Sequence, residues 1–153
     1  MKVLSITVNS NKLNSIISDI RTKYGPLSTP SRPHITIRGP FLNISDKIVS
    51  EAKRIVSDPG MSIVLEGLGY FSVNKQIYVY IAANAPGLRR VWRKPDYPLT
   101  KGFFNPHITI YRGNNMAVAE RIIIDHAHFQ DTISCKNISL ALDYIGQGDL
   151  SFD

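Results

Sequence analysis

Pro33-His34-Ile35-Thr36-Ile37 recurs letter for letter as Pro106-His107-Ile108-Thr109-Ile110. Read as strands, alternate side chains share a face. His34, Thr36 and Arg38 then emerge together while Ile35 and Ile37 turn the other way, and His107, Thr109 and Tyr111 repeat the pattern against Ile108 and Ile110. A single His-x-Thr is an ordinary chance event in a chain with 4 histidines. An identical pentapeptide twice points instead to two related halves. Duplicated core strands would account for the isoleucines alone, whereas a role for both His-Thr pairs accounts for the polar residues too. A pseudo-two-fold axis between the halves would bring both imidazole–hydroxyl pairs to one central cleft.

Outward from the repeats, residues 2 to 8 alternate as a first strand, with Leu4, Ile6 and Val8 on one face. Leu13, Ile16, Ile17, Ile20 and Tyr24 fall at helical spacing until Gly25-Pro26 ends the pattern. The strand of the first repeat is expected to close at Gly39-Pro40, and a second helix to begin at a Ser45 cap and stop at Asp58-Pro59-Gly60. Residues 61 to 83 read as strands broken near Gly67-Leu68-Gly69 and at a hairpin turn, Val73-Asn74-Lys75-Gln76. A short helix is expected over 86 to 94, a strand over 105 to 112, a helix over 116 to 122, and strands within 132 to 143. Strands and helices do not alternate as in a long parallel series. The expectation is therefore α+β: a bilobal, pseudo-two-fold arrangement of mostly antiparallel sheets with flanking helices and a central cleft, forming a single domain over 1–153.

The bulk properties bound the function. At 153 residues and 43% hydrophobic, the chain has the size and composition of one ordinary globular domain. Its apolar runs are too short to cross a bilayer, and Asn and Ser enter soon after the N-terminus, so no membrane association and no secretory signal are expected. The lone Cys135 cannot form an intrachain disulfide and reads as an inert thiol, which fits a cytoplasmic location. The net charge of +6 favours polyanionic partners in a general way. His126-Ala127-His128 with Asp125 or Asp131 is a weak metal-site pattern, more simply read as exposed histidines; no metal is expected.

Paired histidines suit phosphodiester cleavage, which must deprotonate an attacking oxygen and protonate a departing one on opposite sides of phosphorus. Imidazole titrates near neutrality, so one ring serves as base and the other as acid, and threonine hydroxyls two residues along each strand can hydrogen-bond non-bridging oxygens. On regular alternation Arg38 is the preferred phosphate contact and Tyr111 its groove-facing counterpart. Arg112, one position further from its histidine than Arg38 is from His34, would need a bulge to join them. The basic–aromatic stretch from Arg89 to Phe104 is a candidate for substrate selection, with Trp92 and Phe104 as stacking residues; its plainer reading is a surface loop with aromatics tucked into the core.

At His34, Thr36, His107 and Thr109, and in their flanks Pro33 to Arg38 and Pro106 to Ile110, the chain resembles the two-histidine phosphoesterase superfamily. That group includes the 2′-5′ RNA ligase-like proteins and the 2′,3′-cyclic nucleotide phosphodiesterases. The resemblance extends in element order over nearly the whole chain. It implies a cofactor-free phosphoric diester hydrolase acting on a cyclic phosphate or a 2′-5′ or 3′-5′ linkage, in RNA ends or small nucleotides, with reverse ligation by the same residues. Cyclic oligonucleotide signals are an alternative substrate. A catalytically silent nucleotide- or RNA-binding module and a duplicated structural scaffold are alternatives of other classes. A monomer is expected.

Overall fold

The computed structural model describes residues 1–92 and 105–144. Along them run β1 (Lys2–Val8), α1 (Asn11–Tyr24), β2 (His34–Phe41), α2 (Asp46–Val56), β3 (Ser62–Val73), β4 (Gln76–Asn84), β5 (His107–Gly113), α3 (Met116–Asp125), β6 (Gln130–Ser134) and β7 (Ile138–Tyr144). The strands form two antiparallel sheets, ordered β2-β1-β7 and β5-β4-β3-β6. This is the expected α+β fold with a pseudo-two-fold arrangement.

Local chemistry explains most boundaries. Ser10 caps α1 by accepting the Leu13 N–H at 3.1 Å, and Gly25, at φ 99°, ends the helix in a conformation that favours glycine. Ser45 caps α2, accepting the Ile48 N–H, and Asn115 caps α3 by accepting the N–H groups of Ala117 and Val118. Asn74 and Lys75 both adopt positive φ, 49° and 67°, making a two-residue turn that joins β3 to β4 with Val73 opposite Gln76.

Several elements differ from the sequence reading. β3 is one strand through Gly67-Leu68-Gly69; the glycines mark a register shift between Leu65 and Leu68, with Gly67 at φ 84°. β2 runs through Gly39-Pro40 to Phe41, which an edge strand tolerates because the proline gives up no required ladder bond. The segment after β4 is a 3₁₀ turn over Pro86–Arg90, and residues 93–94 of the short helix expected over 86 to 94 lie outside the described residues. α3 continues to Asp125 and is followed by a turn at 126–128, so His126 and His128 are not on a strand. No helix among the described residues is long and apolar enough to cross a membrane.

One apolar cluster joins both sheets. It contains Leu4 and Ile6 of β1, Ile63 and Leu65 of β3, Ile81 of β4 and Leu13 and Ile20 of α1, together with all the isoleucines of the two repeats, Ile35, Ile37, Ile108 and Ile110, each fully buried. The repeats thus anchor both motif strands in a common core, which is what holds their other faces in place.

Candidate active site

β2 is the edge of one sheet and β5 the edge of the other, and these two edges lie against each other. Each carries its histidine at the first position of the strand. His34 pairs across from Thr7 and Thr36 from Ser5; His107 pairs across from Ala82 and Thr109 from Tyr80. The backbone entering each strand is tied identically: the Pro33 carbonyl accepts from the Val8 N–H at 3.1 Å, and the Pro106 carbonyl from the Ala83 N–H at 2.9 Å.

The rings are held in matching ways. His34 Nδ1 lies 3.0 Å from the Arg32 carbonyl oxygen, and His107 Nδ1 lies 2.9 Å from that of Asn105. A carbonyl oxygen only accepts, so Nδ1 carries the hydrogen in both rings and Nε2 is the nitrogen that gains or loses a proton. The same device fixes tautomer and ring direction on both strands. The identical spacing in sequence has become identical orientation.

The two environments nevertheless differ. His34 lies across the strand pair from the hydroxyl-bearing Thr7 of β1. His107 sits against aromatic rings: it meets Tyr80 at 5.1 Å between centroids and Phe71 edge-on at 5.8 Å. Phe71 in turn stacks on Tyr78 at 5.0 Å and on Tyr80 at 5.8 Å. Tyr80 lies across Gly69, where an added Cβ would stand 2.6 Å from the phenol oxygen. Removal of the His107 ring from water lowers its pKa below the usual 6.5; the Asn105 carbonyl opposes this, and the nearby His34 charge adds to it. His107 is thereby biased toward the neutral, proton-accepting form.

Both motif strands bulge immediately after the threonine. Thr36 faces Ser5 and Arg38 faces Leu4, so Ile37 is an extra residue; Thr109 faces Tyr80 and Tyr111 faces Val79, so Ile110 is its counterpart. Strict alternation places Arg38 and Tyr111 beside the His-Thr pairs, and the bulges turn them away. Arg38 is buried opposite Leu4 with its guanidinium 5.8 Å from the Phe41 ring, and Tyr111 is buried opposite Val79, edge-on to Tyr24 at 6.1 Å. Arg112 instead pairs with Tyr78, two residues from Tyr80 on β4, and so joins the His107–Thr109 face. Its Nε–H donates to the Leu27 carbonyl at 3.2 Å. The corresponding residue of the first half is Gly39, at φ 106°, where a Cβ would lie 2.6 Å from the Lys2 carbonyl oxygen. One half of the site therefore supplies an arginine where the other has room for no side chain.

Trp92 packs partly buried against the core. Phe104 and the rest of 93–104 lie outside the described residues. Among the described residues no group of three His, Cys, Asp or Glu side chains is placed to hold a metal ion. His126 approaches Asp19 at 3.8 Å, and Asp131 accepts a hydrogen bond from Ser10. Cys135 is a free, half-buried thiol. The aromatic group Phe71, Tyr78 and Tyr80 went unremarked in the sequence reading. The hairpin turn contained the signal: with Val73 opposite Gln76, counting back puts Phe71 opposite Tyr78 and Gly69 opposite Tyr80.

Comparison with known protein families finds that residues 9–142 match the 2′-5′ RNA ligase superfamily, a span containing both His-x-Thr strands. No curated protein matches the chain.

Proposed function

The chain belongs to the 2′-5′ RNA ligase superfamily, within the two-histidine phosphoesterases, and from that membership we propose that it is a metal-independent phosphodiesterase that opens a cyclic phosphate or cuts a 2′-5′ or 3′-5′ linkage in an RNA end or small nucleotide. The observation that carries this reading is the matched pair of imidazoles, each held through Nδ1 by the carbonyl two residues before it and each followed by a threonine. In the proposed reaction His107 Nε2 takes a proton from the attacking water as its oxygen bonds to phosphorus. His34, protonated, gives its Nε2 proton to the ribose oxygen as that P–O bond breaks, and the product is a phosphomonoester. The hydroxyls of Thr36 and Thr109 donate to the non-bridging oxygens, and the Arg112 guanidinium offsets their charge. Solvent then restores the starting protonation of both rings. His107 is given the base role because burial of its ring, and the nearby His34 charge, disfavour the imidazolium.

The test is hydrolysis by purified protein in the presence of chelator, screened over cyclic mononucleotides, cyclic dinucleotides, 2′-5′ oligomers and RNA ends with product identification. Turnover is expected, and His34→Ala and His107→Ala should each lower kcat by about 10²–10⁴-fold. Binding across the panel with no turnover by the unaltered protein would replace the enzyme with a silent nucleotide-binding module.

A further inference from the structure

Past Arg112 the His107–Thr109 face of the β4–β5 sheet runs into a groove of 730 Å³. One wall is the segment after α1, Leu27-Ser28, and the other is the tip of the β3–β4 hairpin, with Asn74 and Gln76; Tyr78 and Arg112 form part of the floor, and Tyr111, turned away from the His-Thr pairs, also lines the groove. Its volume lies within the range of about 300–1,000 Å³ typical of small-molecule sites. The lining contains no carboxylate and a single formal charge, that of Arg112, among tyrosines, amides and a serine. Such a composition suits an anionic, aromatic ligand: rings to stack on a base, amides for its edge, and a cation for phosphate.

Ring contacts lead from the groove lining toward His107. Phe71 bridges the two, stacked on Tyr78 at one end and edge-on to His107 at the other. Arg112 joins the two regions as well, since it shares a sheet face with Thr109 and is fastened by its Nε–H to the Leu27 carbonyl in the groove wall. A substrate whose reacting phosphate lay between His34 and His107 would have its neighbouring nucleotide directed along this face.

We infer that the groove between Leu27-Ser28 and the Asn74 hairpin is a subsite for the nucleotide flanking the reacting phosphate, so that the substrate is a single-stranded oligonucleotide end in preference to a mononucleotide. This rests on the reading of the histidine pair given above. It predicts length dependence. A fluorescein-labelled trinucleotide ending in a 3′-phosphate should bind about tenfold or more tightly than a labelled mononucleotide carrying the same terminus. The ratio should fall toward unity in Gln76→Glu/Asn114→Asp, which adds negative charge to the groove at two exposed positions, and should rise in Gln76→Lys. Turnover of the same two lengths, each ending in a 2′,3′-cyclic phosphate, is measured in parallel. Cyclic-phosphate opening without any length advantage overturns the subsite and leaves the phosphodiesterase standing. Length-dependent binding that responds to the groove variants without turnover supports the subsite and removes the enzyme. Equal affinity for both lengths, or a ratio indifferent to the groove charge, overturns the subsite.

Discussion

Two imidazoles of identical local sequence are held through the same nitrogen yet differ in their neighbours, a threonine across the strand pair from His34 and aromatic rings beside His107. This difference has a measurable sign. The pKa of His107 is lowered, so its neutral form persists to lower pH than an ordinary imidazole allows. If it is the base, activity should fall in acid only as the pH passes below about 6.5, the ordinary imidazole value. In the proposed roles kcat/KM follows a bell-shaped profile whose acid limb belongs to His107 and whose basic limb belongs to His34. His34→Ala should flatten the basic limb of the residual activity, and His107→Ala the acid limb. Profiles of unchanged shape in both variants would exclude paired acid and base. At this scale the sequence made the matching placement of the two histidines legible, because a repeated Pro-His-Ile-Thr-Ile fixes the same strand position for both. The split between a more polar and a more aromatic histidine was not legible, since Thr7, Ala82 and Tyr80 reach the rings only through strand pairing.

Strand alternation is a good first approximation, and the motif strands break it at the same place. One extra residue after each threonine sends Arg38 and Tyr111 to the buried side and brings Arg112 beside Thr109. Arg38 and Arg112 should therefore respond differently to truncation. Arg112→Ala should lower kcat/KM by about tenfold or more with little change in Tm, since in the proposed role it removes a charge-assisted contact to phosphate from a partly exposed side chain. Arg38→Ala should chiefly lower Tm, because it opens a gap in a packed region beside Phe41. Paired Tm and kinetic measurements separate the two, and the reverse pattern would put Arg38 at the phosphate. The hairpin at Asn74-Lys75 shows the opposite situation: its turn residues are local signals, and they set the register that aligns Phe71 with Tyr78.

Across the molecule, the isoleucines of both repeats belong to one cluster with Leu4, Leu65 and Leu13, so neither sheet has a core of its own. We expect a single cooperative unfolding transition, with far-UV circular dichroism and amide exchange in β1 and β5 reporting the same midpoint. Ile108→Ala should cost about 2–5 kcal/mol and shift both signals together. Separate midpoints would mean lobes that fold independently. The elements and the pairing of the two His-Thr motifs were determined by the sequence itself, because periodicity, caps, turn residues and a repeated pentapeptide act over a few positions. The tertiary structure decided which sheet edges meet, which arginine shares a sheet face with Thr109 and which histidine lies against aromatic rings. These depend on bulges and on partners distant in the chain, where shifting a strand by one residue exchanges its faces.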